Sequence, residues 1–282
     1  MRILLATNDF PPKVGGIQTY CYQLAKNLVS LGEKIVVLVP GVEGNLEFDK
    51  RENFRIIRVK NRLNLYFAFF STLKKEKIEI ILVAHRANYA RLASWTNILL
   101  KIPYDIIVYG GEILLSRRRK SIRKNFARAG KVITISNFTK ERLIEIGIPA
   151  KKIEVIHPGV DPIRFNPELD STSVKKKYKL EGKKVILTVS HLVKRKGHHN
   201  VLKALPQVLK RVPNLIYLIV GKGEEEEKLK GIVKDLKLED KVIFVGEVKE
   251  EELPLYYVAC DLFIMPSYEI KERGDVEGFG IA

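Results

Sequence analysis

Short apolar runs recur along this 282-residue chain, each followed by a longer stretch with helical spacing. In the first half they occupy residues 3–6, 35–39, 56–59, 80–84, 106–109, 132–135 and 154–156. The runs are continuous and do not alternate with polar residues as a half-exposed strand would. That pattern fits strands buried on both faces, and so a parallel sheet covered by helices on each side. Tyr20, Leu24, Leu28 and Leu31 share one face of a helix over 18–31, which Gly32 stops. Asn137 reads as the cap of a helix over 138–146, ended by Gly147. A second series of the same kind begins later, with strands at 185–190, 215–220, 242–245 and 262–265. Its helices read as 197–211, 225–236 and 253–259. The fold class is therefore α/β, with two successive parallel-sheet domains.

Residues 157–184 hold three prolines and many polar side chains, and the domain boundary is expected there. The reading is a first domain over 1–165, a linker over 166–184 and a second domain over 185–282. Ligands of such open sheets sit beyond the carboxyl ends of the strands, here in a cleft shared by the two domains. The opening MRILLATNDFPP reads as the first strand of a cytosolic domain and not as a signal peptide. No run of 18 charge-free apolar residues suggests a membrane span. Cys21 and Cys260 have no ligand spacing and read as ordinary buried thiols. No H-E-x-x-H helix, G-x-S-x-G elbow or P-loop ending in K-S/T occurs, and no protein-built metal site is expected.

Charge is spread unevenly within the total of +17. Residues 1–165 carry 29 lysines and arginines against 14 acids, whereas 166–282 carry 21 against 19. An anionic partner for the first half follows, such as a lipid surface, a phosphorylated acceptor or nucleic acid. A lysine-rich thermophile background is the plainer source of part of the excess. Residues 116–131, SRRRKSIRKNFARAGK, concentrate eight of these cations with no acid. Ile122, Phe126 and Ala129 fall at helical spacing there. Such a helix either lies on an anionic bilayer or docks internally with a solvated basic face. No aromatic-interleaved basic patch or known nucleic-acid module supports a nucleic-acid partner.

Three stretches leave a strand and enter a helix through glycines or cations. Gly15 and Gly16 do so after the first strand, where bare N–H groups either meet an anion or make a simple turn. Ser190-His191-Leu192-Val193-Lys194-Arg195-Lys196-Gly197 puts three consecutive cations at a helix start, a cradle for a diphosphate or else a solvated charge run. Gly221-Lys222-Gly223 precedes four glutamates that complement a helix dipole. Residues 266–281, PSYEIKERGDVEGFGI, then follow an apolar run. Here Glu277 beside Gly278, Phe279 and Gly280 suits a backbone that approaches a ligand while the acid holds its hydroxyls. The bland alternative is a surface loop closed by a glycine turn. His85 ends the fourth strand and either faces the cleft or is structural. His157 precedes Pro158-Gly159 and is placed to fix the linker. His198 and His199 are neighbours on a helix and so point apart.

Taken in order, PPKVGGIQ (11–18), ITISNFTKERL (133–143), VIHPGVDPIRFNP (155–167), VSHLVKRKG (189–197), LIVGKGEEEEKL (218–229) and the EGFG segment resemble a known family. It is the family 4 retaining glycosyltransferases, which use nucleotide sugars and have two Rossmann-like domains in the GT-B arrangement. The insert before EGFG is similar to the branch that mannosylates phosphatidylinositol-type lipids from GDP-mannose.

The resemblance implies a diphosphate-binding role for Lys196. The family's partner arginine falls at His191, a weaker donor of charge. It implies that Glu277 holds the donor sugar, with Gly278, Phe279 and Gly280 near the phosphates. Gly16 and its neighbour Gly15 would meet donor phosphates or acceptor, and Gly221 would line the nucleotide site. The family's active-site histidine is replaced by Tyr109, so either Tyr109 or His85 serves there. A second family glutamate, which grips the ribose, would lie beyond Ala282, so the second domain is expected to be partial and donor binding weak. The donor would be a GDP- or UDP-hexose, with no further cofactor, and the acceptor a lipid or glycan. Attachment to the inner face of the membrane through 116–131 would accompany a lipid acceptor. Two rivals stand beside this reading: a non-catalytic binder of anionic membrane or polyanion, and a GT-B sugar-nucleotide epimerase.

Overall fold

The computed structural model describes the chain except residues 14, 42–45, 85–86, 111–118, 271–276 and 281–282. It divides into two units, Met1–Pro158 and Gly159–Gly280. In the first, seven strands lie parallel in the order β3-β2-β1-β4-β5-β6-β7. They are β1 (Arg2–Thr7), β2 (Lys34–Pro40), β3 (Arg55–Val59), β4 (Ile80–Ala84), β5 (Tyr104–Val108), β6 (Val132–Thr134) and β7 (Ile153–Val155). Helices α1 (Gly16–Ser30), α2 (Leu46–Arg51), α3 (Arg62–Lys75), α4 (Ala87–Leu100), α5 (Arg119–Arg128) and α6 (Asn137–Glu145) connect them.

The sheet has a core on each face, which is why its strands read as unbroken apolar runs. Along β1, Leu4 and Ala6 join one core, with Leu65, Phe69, Leu92, Ile122, Phe126 and Leu143 from α3 to α6. Ile3 and Leu5 point the other way, to Phe10, Phe54 and the α1 residues Cys21 and Ala25. Each large side chain so buried contributes about 1.5–3 kcal/mol. The basic helix α5 docks inward through Ile122 and Phe126, with Ala129 just past its end, so its apolar stripe belongs to the core. Its successor α6 is capped by Ser136, whose hydroxyl accepts from the Thr139 N–H at 3.2 Å. That corrects the expected cap at Asn137, which is already the first helical residue.

The second unit has a four-stranded parallel sheet in the order β10-β9-β8-β11. Its elements are α7 (Thr172–Lys177), β8 (Lys184–Val189), α8 (His198–Leu209), β9 (Leu215–Val220), α9 (Glu226–Asp235), β10 (Val242–Gly246), α10 (Leu253–Ala259) and β11 (Leu262–Phe263). Along β9, Leu215, Tyr217 and Ile219 face one core and Ile216, Leu218 and Val220 the other. The division of the chain falls before the expected linker. Residues 166–184 pack as part of the second unit, with Val174 and Leu180 buried in its core among Leu187 and Tyr256. Two parallel α/β sheets, the second smaller, make this the fold expected from the sequence.

Each sheet contains one reversal of strand order. In the first, the chain works outward from β1 to β3 and returns to place β4 on the other side of β1. In the second it works from β8 to β10 and returns to place β11 beside β8. The crevice beyond the strand carboxyl ends at such a switch is where open sheets hold ligands.

Candidate active site

At the switch of the second unit, β8 leads into residues 190–197, and residues 264–270 and 277–280 follow β11. The Ser190 N–H donates to the Val220 carbonyl at 3.0 Å, and the Leu192 N–H to the Lys222 carbonyl at 2.9 Å. This lays the first loop against the one after β9. Gly221, at φ 129°, permits the approach, because a Cβ there would sit 2.0 Å from the Ser190 carbonyl oxygen. The loop ends in a short 3-10 turn, Lys194–Lys196, and then Gly197 in the left-handed region at φ 73°. A Cβ on Gly197 would meet the Pro266 carbonyl oxygen at 2.1 Å, so the start of α8 abuts the chain leaving β11. The Tyr268 N–H donates to the Arg195 carbonyl at 2.9 Å and completes the seam.

That seam brings Glu277 to the cationic turn. The Lys196 ammonium is paired with the Glu277 carboxylate, and the Arg195 Nη1 donates to the same oxygen, Oε2, at 2.5 Å. Lys196 is only 8% exposed, and its Nζ also lies 4.0 Å from the Met265 Sδ. Burial works to raise the Glu277 carboxyl, but Lys196 and Arg195 outweigh it and hold it below the usual carboxylate range. Two cations face one carboxylate, so the cluster keeps net positive charge at the start of α8, where the helix dipole adds to it. Such a cluster can exchange its internal carboxylate for a doubly charged diphosphate.

A neutral group sits behind it. His198 is buried and shares a 3.0 Å hydrogen bond between its Nε2 and the Ser190 Oγ. Burial, then the charges of Lys196 and His199, push its imidazole down to about 4. His198 therefore ties the start of α8 to the end of β8 without adding charge. His191 is exposed beside Ser190. After Glu277 the chain bends through Gly278, a partly exposed Phe279 and Gly280 at φ 82°.

The first unit holds the other expected residues at its own switch. Gly15 caps α1 just beyond β1, Gly16 is the first helical residue, and the Thr19 N–H donates to the Gly15 carbonyl at 2.9 Å. Gln18 Nε2 donates to Asp9 Oδ1 at 2.9 Å, which closes the loop between strand and helix. Tyr109 follows β5 and is buried, its hydroxyl 3.3 Å from the Cys21 Sγ and its ring edge-on to Tyr20 at 5.4 Å. Burial pushes the Cys21 thiol up to about 11, so this pair is a neutral packing contact. His85 lies outside the described residues. His157 Nδ1 is 3.0 Å from the Ile135 carbonyl, which pins the end of the first unit to the residue after β6.

The structure thus joins Lys196 and Glu277 in one cluster within the second unit. Sequence reasoning had Arg195 in the cationic run without giving it a partner, and it did not connect Ser190 to His198. The run of three cations was the only signal for Arg195.

Two family models match this chain: residues 14–164 fit "Glycosyltransferase Family 4" and residues 170–282 fit "Glycosyl transferases group 1". A GDP-mannose-dependent alpha-(1-6)-phosphatidylinositol monomannoside mannosyltransferase of Mycolicibacterium smegmatis is 31% identical over 291 residues. The alignment covers 99% of this chain and 76% of that protein. An enzyme of Corynebacterium glutamicum that is GDP-mannose-dependent and acts on a monoacylated form of that lipid is 28% identical, with the same coverage of each chain. Among solved structures, Anabaena Alr3699/HepE in complex with UDP superimposes with a TM-score of 0.79 at 20% identity, covering 95% of this chain and 74% of that one.

Proposed function

We propose that this chain, which belongs to the family 4 glycosyltransferases, moves a hexose from a nucleoside diphosphate sugar to an acceptor hydroxyl with retention at the anomeric carbon. The observation that carries the reading is the cluster of Lys196, Arg195 and Glu277 at the β8–β11 switch, beside the start of α8. Donor binding replaces the internal ion pair: the diphosphate takes Lys196 and the helix-start N–H groups, and Glu277 turns to the sugar hydroxyls. Gly278, Phe279 and Gly280 form the bend that closes over the phosphates, with Gly221 and His191 on the opposite wall.

As the glycosidic bond breaks, negative charge develops on the leaving diphosphate. A cation already desolvated in the site stabilises that charge without reorganisation, the oxyanion-type effect. The acceptor oxygen bonds to the anomeric carbon on the face that the diphosphate leaves and gives its proton to that leaving group, so the anomeric configuration is preserved. The mycobacterial and corynebacterial relatives support GDP-mannose as donor and a phosphatidylinositol-type lipid as acceptor. Among the described residues, no helix is long and apolar enough to cross a bilayer.

Calorimetric titration of GDP-mannose and UDP-glucose into the protein and its Lys196→Ala variant tests the reading. The unaltered protein should bind one of them and the variant neither. Failure of every nucleotide sugar to bind the unaltered protein would sink it.

A further inference from the structure

Helices α3 and α4 of the first unit turn apolar side chains to solvent in two ordered stripes. On α3, Leu63, Phe67 and Phe70 recur at helical spacing, and Leu63 and Phe67 are 81% and 77% exposed. On α4, Trp95, Ile98 and Leu99 do the same, with Trp95 50% and Leu99 73% exposed. The stripes adjoin. Arg91 on α4 donates from Nη2 to the Tyr66 hydroxyl on α3 at 3.1 Å, and its guanidinium lies 5.5 Å from the centre of the Trp95 ring. Single exposed apolar residues are ordinary, but a two-helix patch of aromatic and branched side chains marks a contact surface.

Charge identifies the occupant. Helices α3, α4 and α5 pack on the same core and carry no carboxylate among them. Lys74 continues the α3 stripe, Lys75 follows it, Lys101 follows the end of α4, and Lys124 and Arg128 are exposed on α5. A second copy of this chain docking by the same face would set these cations against themselves, and the nearest acid, Glu76 at the end of α3, is already paired with Arg55. An anionic lipid surface complements both features, since headgroups meet the cations and the upper acyl region takes the Leu, Phe and Trp side chains. Tryptophan in particular favours the boundary between water and hydrocarbon.

We infer that the α3–α4 face, flanked by the cations of α5, docks this protein onto an anionic bilayer. The apolar contact comes from α3 and α4, because the stripe of α5 is spent on the core. The inference does not depend on the transferase reading.

Trp95 is the single tryptophan of the chain, so its emission reports on this patch without any substitution. The protein is mixed with phosphatidylcholine vesicles, with vesicles that also contain phosphatidylglycerol, and with the latter bearing brominated acyl chains. It should sediment with the anionic vesicles only, its emission should move to the blue, and bromine should quench it. Phe67→Glu should weaken vesicle binding by about tenfold or more, from the lost burial of one aromatic side chain. Lys74→Ala and Lys75→Ala should each cost about fivefold, less at high salt. Far-UV circular dichroism checks that the variants fold, and these side chains lie outside the core.

Several results would overturn the inference. Sedimentation without quenching would place the contact on another surface. Equal binding to both vesicle types would remove the role of charge, and no binding to either would remove the bilayer. A blue-shifted emission that tracks protein concentration and a doubled mass, without vesicles, would assign the patch to self-association.

Discussion

If the cationic turn is built for a diphosphate, Glu277 competes with that anion for the same two cations, and removing it should tighten the binding of nucleotide alone. In Glu277→Gln the Lys196 ammonium and the Arg195 guanidinium lose the carboxylate they share. A charge-assisted hydrogen bond has a net value of about 1.5–3 kcal/mol, and the diphosphate must displace it in the unaltered protein. Glu277 is a quarter exposed, so solvent screens part of that interaction and the lower end applies. At about 1.4 kcal/mol per tenfold, GDP or UDP should bind the variant about tenfold more tightly. Sugar transfer should fall in the same variant, because the group that holds the sugar hydroxyls is gone. Its melting temperature without nucleotide should drop, since a buried lysine has lost its counter-charge. Titration calorimetry with GDP and with UDP, neither carrying a sugar, reads the effect directly. Unchanged or weaker nucleotide affinity in Glu277→Gln would refute the idea that the carboxylate and the diphosphate compete for the same cations.

Other consequences follow from the same geometry. His198, held near 4 in the fold against about 6.5 when unfolded, binds fewer protons folded than unfolded. Its contribution is therefore fully present above pH 6.5 and is lost as pH falls toward 4, a change of about 3 kcal/mol. Melting curves across that window should show the loss, and His198→Gln should flatten it. Glu277, depressed in the fold, contributes stability above the ordinary carboxylate range that is lost at more acid pH, a step that Glu277→Gln should abolish. Gly197→Ala combines a positive φ with a 2.1 Å approach to the Pro266 carbonyl and should cost about 2 kcal/mol or more along with nucleotide binding. Gly231→Ala, in α9 with open space around it, should instead stabilise by about 0.5–1 kcal/mol in the same denaturation assay.

The layered fold was legible because burial on both faces leaves an unbroken apolar run, and the register of β1 and β9 shows both faces in use. Residues 166–184 were harder, since their polar composition hides Val174 and Leu180, the two positions that fasten them to the second unit. The site was half visible. Consecutive cations at a helix start announce an anion, but spacing along the chain says nothing about which acid faces them. Glu277 reaches Lys196 only because β11 returns beside β8, and because Gly197 and Gly221 let three backbone segments touch. The same return brings Tyr268 to the Arg195 carbonyl, a contact that no local pattern encodes. Nor could spacing tell whether the stripe of α5 faced solvent or core. Only the packing of Ile122, Phe126 and Ala129 against the sheet decides it.

A crystal structure of the protein with an intact nucleotide sugar tests the central claim most directly. The account predicts a diphosphate oxygen within hydrogen-bond distance of Lys196 Nζ and the first N–H groups of α8, with Glu277 swung onto the sugar hydroxyls. A diphosphate bound elsewhere, while Lys196 remained clasped to Glu277, would contradict it.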